Sequence, residues 1–236
     1  MEYVNGFEVR VIIAASGMGT RLGGDIPKQF LPICGEPILK HTLRVFNDCD
    51  FIDGIAVAVP KEYMEEVRGY GFDRITHVVE GMPERADSVF AALMALEPFH
   101  GVVLVHDGIR LFVTEELIKN VACFAYGHGA AVAGVQINET VKMVDDKRSV
   151  INTPDRERFW RAQTPQGFLY DMLVDAYTQA AADGVLHSAT DDSSLVERLG
   201  QHVYMVHGDP LNMKITTKQD FQLAQLIYAA KDELGT

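Results

Sequence analysis

The segment Ala14-Ala15-Ser16-Gly17-Met18-Gly19-Thr20-Arg21-Leu22-Gly23-Gly24-Asp25-Ile26-Pro27-Lys28-Gln29-Phe30 combines small residues, glycines and two cations directly after an apolar run. Small residues and glycines let backbone N–H groups come close to phosphate oxygens. Arg21 offers a planar fork and Lys28 a mobile point charge, at a spacing that a folded loop can close around one anion. The chemistry this points to is the holding of a nucleotide triphosphate between Ala15 and Gln29. Two commoner phosphate loops are excluded. The Walker pattern GxxxxGK[ST] fails because Asp25 follows Gly24 where a lysine is required, and the dinucleotide pattern GxGxxG fails at Leu22. The alternative is a Gly-rich turn with two solvated cations.

Other residues invite chemistry but leave two readings open. Asp107 ends an apolar stretch, where open α/β sheets place ligands. Beside a triphosphate it needs a metal or Arg110 as partner; otherwise it caps the turn after its strand. Ser88 can touch a base or satisfy backbone donors at a helix start. Arg85 can order the same loop or be a surface cation. Asp191 can cap a helix or meet a ligand. Arg156 sits in the charge run Asp155-Arg156-Glu157-Arg158, which by itself reads as a solvated face. No histidine is spaced with Cys or carboxylates as a zinc site, and His106 reads as a structural hydrogen-bonding group.

These residues need a frame. Val9–Ala15 reads as a buried strand, and Pro37–Asn47 as a helix with proline in its first turn. Gly54–Val59 (strand), Glu62–Arg68 (helix), Ile75–Val79 (strand) and Glu84–Leu96 (helix, with Val89, Leu93 and Leu96 on one face) continue the alternation. Val102–Val105 is a strand, Thr114 caps a helix to about Phe124, and Ala130–Val135 is a strand. Such a rhythm predicts an α/β, Rossmann-like, mostly parallel sheet with helices on both faces. It breaks over 137–163, read as a protruding β-arm or long surface loop. Tyr170–Ala182 (helix), Ser194–Leu199 (helix), Val203–Val206 (strand) and Lys218–Lys231 (helix) follow, while Thr164-Pro165-Gln166 and Thr190-Asp191-Asp192 read as polar turns. With no repeat or linker, residues 1–236 are read as one domain.

Composition narrows the partners. A net charge of −12 with no basic tract argues against nucleic acid. A phosphorylated small molecule needs only a few local cations, because the global field is screened within about 10 Å. No apolar run reaches the roughly 20 residues of a membrane helix, and no signal peptide is visible. Cys34, Cys49 and Cys123 read as buried free thiols in a reducing cytoplasm.

Seven collinear motifs resemble the 2-C-methyl-D-erythritol 4-phosphate cytidylyltransferase family. They are AASGMGTRL with PKQF, ERADSV, VHDGIR, NETVK, RFWRAQTPQGF, TDDSSLVE and NMKITTKQDF. The resemblance implies attack by a polyol-phosphate oxygen on the α-phosphorus of CTP, with pyrophosphate released and Mg²⁺ bridging the triphosphate. It implies that Arg21, Lys28 and Lys214 are the catalytic cations. Ala15, Ser16, Gly17, Gly19, Gly81, Met82, Ser88, Asp107 and Gly108 would contact the nucleotide, and Asp107 is the candidate for direct metal contact. Arg110, Thr164, Thr190 and Asp191 would meet the polyol phosphate. Thr140 and Arg156 would reach it from a second subunit, making a homodimer with shared active sites.

The chain departs from the family pattern at three places. Met82 and Pro83 replace a glycine and an acid at the strand end that approaches the base; Met82 restricts positive φ and Pro83 removes one N–H. Ile109 and Leu111 alter the run after Asp107, and Ser16 replaces an alanine. Two other readings remain: a ribitol 5-phosphate cytidylyltransferase, and a non-catalytic nucleotide-binding protein derived from the same fold.

Overall fold

A computed structural model describes residues 6–17 and 26–234, with side chains described as far as residue 230. In chain order the strands are β1 (Glu8–Ala14), β2 (Pro32–Ile33), β3 (Glu36–Pro37), β4 (Gly54–Val59), β5 (Ile75–Glu80), β6 (Gly101–Asp107), β7 (Ala130–Gln136), β8 (Met143–Val144), β9 (Val150–Asn152), β10 (Trp160–Leu169) and β11 (Tyr204–His207). The α-helices are α1 (Ile38–Asp48), α2 (Met64–Arg68), α3 (Arg85–Ala95), α4 (Glu115–His128), α5 (Tyr170–Ala182), α6 (Asp192–Arg198) and α7 (Lys218–Leu234).

Seven strands form one sheet in the order β11-β7-β10-β6-β1-β4-β5. Every neighbouring pair is parallel except the two made by β10, which runs antiparallel to β6 and β7. Alternation along the strands decides which helices cover which face. Val9, Val11 and Ile13 of β1 pack with Leu39 and Leu43 of α1 and Ile118 and Val121 of α4. Ile12, between them, packs on the other face with Val89 and Leu93 of α3 and Leu173 and Tyr177 of α5. Both faces are therefore apolar and covered, which is why Val11–Ala15 reads as an unbroken hydrophobic run, preceded by Arg10 nearer the start of the strand. A third cluster ties α7 to the strand ends through Ile33, Ile109, Phe112, Ile215 and Ala224.

The alternating elements of the first 136 residues fall where their periodicity predicts, within a residue or two at most boundaries. The helix expected over Glu62–Arg68 is a 3-10 turn (Lys61–Tyr63) that continues as α2. Thr114 caps α4, accepting from the Leu117 N–H at 3.2 Å, as its position suggested.

The structure differs over residues 137–169. A hairpin, β8–β9, does stand outside the main sheet, its turn tied by the Asp145 carboxylate accepting from Lys147 and Ser149 N–H groups. The expected arm, however, runs into a sheet strand: β10 begins at Trp160. Thr164-Pro165-Gln166 is not a polar turn but the middle of that strand, with the Thr164–Pro165 peptide cis. Polar residues and a proline hide the strand from any apolar pattern. Proline cannot donate to a ladder, and the register of β10 against β7 shifts between Ala162 and Gln166, where Pro165 sits.

Candidate active site

The chain passes from β1 through α1 to β4 and then β5 on one side, and returns through α3 to β6 on the other. The direction of strand order reverses between β6 and β1, which places a crevice at their C-terminal ends. Ala14 and Asp107, the last residues of the two strands, are register partners. Gly108 N–H donates to Ala14 O at 2.9 Å, and a Cβ at Gly108 would come within 2.9 Å of Ala15 Cβ and Leu39 Cδ1. From β5, Gly81 N–H donates to Val59 O at 2.7 Å. A Cβ at Gly81 would stand 2.1 Å from Ser16 Cβ, so glycine there lets the end of β5 close against the loop after β1.

Asp107 is the electrostatic centre of the crevice. Its Oδ1 accepts from Arg85 Nε at 3.1 Å. Its Oδ2 accepts from Arg110 Nε at 3.3 Å and lies 3.0 Å from Lys214 Nζ. Burial alone would raise its pKa; the charges of Arg85, Lys214 and Arg110 outweigh that and hold the carboxyl far below the usual carboxylate range. Arg85 turns its other two nitrogens to Asp192, at 3.0 and 2.8 Å. Asp192 is fully buried and also accepts from the Tyr177 hydroxyl at 2.6 Å.

Behind Asp107 a polar chain is fully paired. Asp107 N–H donates to Thr164 Oγ1 at 3.1 Å, and Thr164 Oγ1 lies 3.0 Å from His106 Nδ1. His106 Nε2 lies 3.1 Å from Arg110 O, an acceptor only, so the proton belongs on Nε2 and Nδ1 accepts from the Thr164 hydroxyl. Burial pushes the His106 pKa down to about 3, keeping the ring neutral in this role.

Two clefts meet at this cluster. The first, about 570 Å³ and open to solvent, is lined by Ala15, Ser16, Gly17, Lys28, Gln29, Pro83, Ile109 and the Arg85, Asp107, Lys214 group. The second, about 590 Å³, is lined by Gln163, Thr164, Gln166, Thr190, Asp191, Arg110 and the same three charged residues. The first cleft sets Lys28, Arg85 and Lys214 against one carboxylate, a local positive balance in a chain of net charge −12. An anion is what such a wall attracts.

The structure thus brings Lys28, Lys214, Asp107, Ala15, Ser16 and Gly17 to one cleft, and Arg110, Thr164, Thr190 and Asp191 to its neighbour. Gly19 and Arg21 lie outside the described residues. Asp191 also caps α6, accepting from Ser194 N–H at 3.1 Å. Ser88 is fully buried: its hydroxyl accepts from Met82 N–H at 2.9 Å and pairs with Ser16 Oγ at 2.7 Å. Its place is therefore behind the strand end it shapes. Met82 is about half exposed and does not adopt positive φ, so the restriction expected from its side chain does not arise. Thr140 and Arg156 stand apart on the exposed arm, where Arg156 donates to Asn138 O at 2.8 Å.

From the residues alone Arg85 reads as a surface cation or loop anchor and Asp192 as part of a polar turn. Arg85 instead lines both clefts, and Asp192 stands behind it. The acidic doublet Asp191-Asp192 is a weak signal, because a second carboxylate after a helix cap has no reason to be buried unless a cation meets it. Among the described residues, Asp107 is the one acidic side chain lining the first cleft, and no group of three or more His, Cys, Asp and Glu converges to cage a metal. This donor set fits Mg²⁺ carried in on a polyphosphate, which takes one or two carboxylate oxygens and fills its shell with phosphate and water.

The family model for 2-C-methyl-D-erythritol 4-phosphate cytidylyltransferase matches residues 9–230. The enzyme of that name from Symbiobacterium thermophilum is 44% identical over 219 residues, covering 93% of this chain and 92% of its own. The crystal structure of 4-diphosphocytidyl-2C-methyl-D-erythritol synthase from Anaerococcus prevotii is similar with a TM-score of 0.84 at 30% identity, covering 94% of this chain and 99% of that one. The 2-C-methyl-D-erythritol 4-phosphate cytidylyltransferase of Thermus thermophilus is similar with a TM-score of 0.78 at 34% identity, covering 94% and 100%.

Proposed function

This chain belongs to the 2-C-methyl-D-erythritol 4-phosphate cytidylyltransferase family, and on that premise we propose that it transfers CMP from CTP to 2-C-methyl-D-erythritol 4-phosphate and releases pyrophosphate. A phosphate oxygen of the acceptor attacks the α-phosphorus. A new P–O bond forms as the bond to the β-phosphate oxygen breaks, and no covalent enzyme intermediate is needed. Catalysis is then alignment plus stabilisation of charge on phosphoryl oxygens.

One observation carries this reading: Asp107 and Lys214 belong to both clefts. The first cleft takes the triphosphate, with Lys28 and Lys214 as cations and the backbone of Ala15–Gly17 against its oxygens. Arg21, expected on the same loop, completes the set. Pro83 and Ile109 line the cleft toward the base and ribose end, while Gly81, Met82 and Gly108 stand beside them and Ser88 lies behind. Contact of Gly81, Met82 and Gly108 with the nucleotide rests on family resemblance. The second takes the acceptor, with Arg110 on its phosphate and Thr164, Thr190 and Asp191 on its hydroxyls. The reacting atoms meet at the shared wall, where Lys214 meets the α-phosphate. Asp107 would hold Mg²⁺ carried in on the triphosphate, and the ion would supply charge neutralisation on the transferring group.

The active unit we propose is a homodimer of one-domain subunits. The β8–β9 hairpin exposes Met143, Val144, Val150 and Ile151, each about half exposed or more, and a second copy would cover them. The arm would then present Thr140 and Arg156 to the partner's second cleft. Of the three free thiols, Cys49 is buried as expected, while Cys34 is exposed and Cys123 half-buried, and free thiols fit a reducing cytoplasm. Among the described residues no helix is long and apolar enough to cross a membrane.

The test is pyrophosphate release from purified protein with CTP, Mg²⁺ and one polyol phosphate at a time. Release with 2-C-methyl-D-erythritol 4-phosphate is expected. Release with ribitol 5-phosphate alone would overturn the acceptor, and none with any acceptor would leave a nucleotide-binding protein.

A further inference from the structure

Asp107 is held asymmetrically. Its Oδ2 faces Lys214, whose side chain is 38% exposed and can move to a phosphate, and Arg110, which is buried and also donates to Asn212 O at 2.9 Å. Its Oδ1 faces Arg85 Nε, and Arg85 cannot follow a ligand freely because both terminal nitrogens are forked onto Asp192. Asp192 in turn is fully buried and fixed by Tyr177 of α5. Arg85 starts α3, Asp192 starts α6, and the two are 107 residues apart in the chain.

We infer that Arg85 is a positioning residue for Asp107, clamped by Asp192 and Tyr177, and that it reserves Oδ1 so that Oδ2 alone turns to the ligand. The inference rests on the nucleotidyltransferase reading of the two clefts. When a phosphate takes Lys214, Oδ2 keeps only its 3.3 Å contact with Arg110, and without Arg85 the carboxylate would be free to swing. The Arg85 fork keeps it fixed. A lysine could neutralise Asp192 or Asp107, but as a point donor it cannot span both in fixed geometry. A buried ion pair is also poor grounds for stability alone, since apolar groups of similar volume often replace one without loss. The pair is thus better explained by the orientation it imposes.

Two variants test this: Arg85→Lys, and the paired Arg85→Met/Asp192→Leu, which leaves no buried charge unpartnered. Each is compared with the unmodified protein by thermal unfolding, calorimetric CTP affinity with Mg²⁺, and pyrophosphate release. The expected result in either folded variant is at least about a tenfold fall in kcat, with CTP affinity kept within about threefold. Unchanged kcat in a folded variant overturns the positioning role. So does a loss confined to CTP affinity, which would make Arg85 a direct phosphate ligand. An unmodified protein that releases no pyrophosphate overturns the functional reading itself, and is recognised before any variant is compared.

Discussion

Lys214 Nζ lies 3.0 Å from Asp107 Oδ2, a mobile cation parked on a carboxylate that keeps only 7% of its side chain exposed. The lysine comes from the loop between β11 and α7, the aspartate from the end of β6. Lys214 is thereby held at the junction of two clefts before any phosphate arrives.

Loss of that cation, or of Lys28 across the first cleft, should slow the reaction without unfolding the protein. Lys214→Ala leaves Asp107 paired with Arg85 and Arg110. Each single variant is expected to lower kcat/KM for CTP at least about tenfold, or about 1.4 kcal/mol of barrier. Steady-state pyrophosphate release checks it, and near-normal turnover in both would remove the phosphate-clamp argument.

His106 gives a pH prediction with a definite sign. Its folded pKa, about 3, lies below the ordinary value of 6.5, so the unfolded chain binds the proton first as pH falls. The stability held by the neutral ring is complete above pH 6.5. It is lost on descent toward about pH 3, at up to about 1.4 kcal/mol per pH unit. His106→Gln should flatten this part of the dependence in urea unfolding. Nitrogen NMR should show the neutral ring protonated on Nε2 at pH 5, and a charged ring there would contradict the hydrogen-bond chain through Thr164.

The contact between Gly81 and Ser16 predicts a rescue. Gly81→Ala places a Cβ 2.1 Å from Ser16 Cβ, so one of the two loops must move. About 1–3 kcal/mol of stability should be lost, with weaker CTP binding. Adding Ser16→Gly should restore part of both. A double variant no better than Gly81→Ala would show that the strand end is held elsewhere.

On the arm, Val150→Asp with Ile151→Asp should yield monomers by analytical ultracentrifugation, with activity lost. Arg156→Ala should keep the dimer and chiefly raise KM for the acceptor. Full activity in the monomer, or an unchanged KM, would refute the shared site.

The legible parts of this fold are those whose physics is local. β4, Gly54–Val59, and α5, Tyr170–Ala182, have the limits their periodicity predicts, because burial on one or both faces writes itself into residue order. β10 was not legible. Gln163, Thr164 and Gln166 are buried though polar, because their partners are Asp209 O, His106, Asp191 and backbone groups from distant segments. A rule that equates polarity with exposure places them in a turn.

By itself the sequence determined the αβ alternation that sets the Gly-rich loop at the C-terminal end of a central strand, and the small residues and Lys28 that stand in the first cleft; Lys214 is marked in it only through the family resemblance. Small residues, glycines and periodicity act over a few positions, so they survive as pattern. Only the tertiary structure decided what Asp107 faces, that Arg85 is forked on Asp192, and that β10 enters the sheet against the direction of its neighbours. Those are pairings between charges and strands far apart in the chain, whose partners exist only once the crossovers have closed.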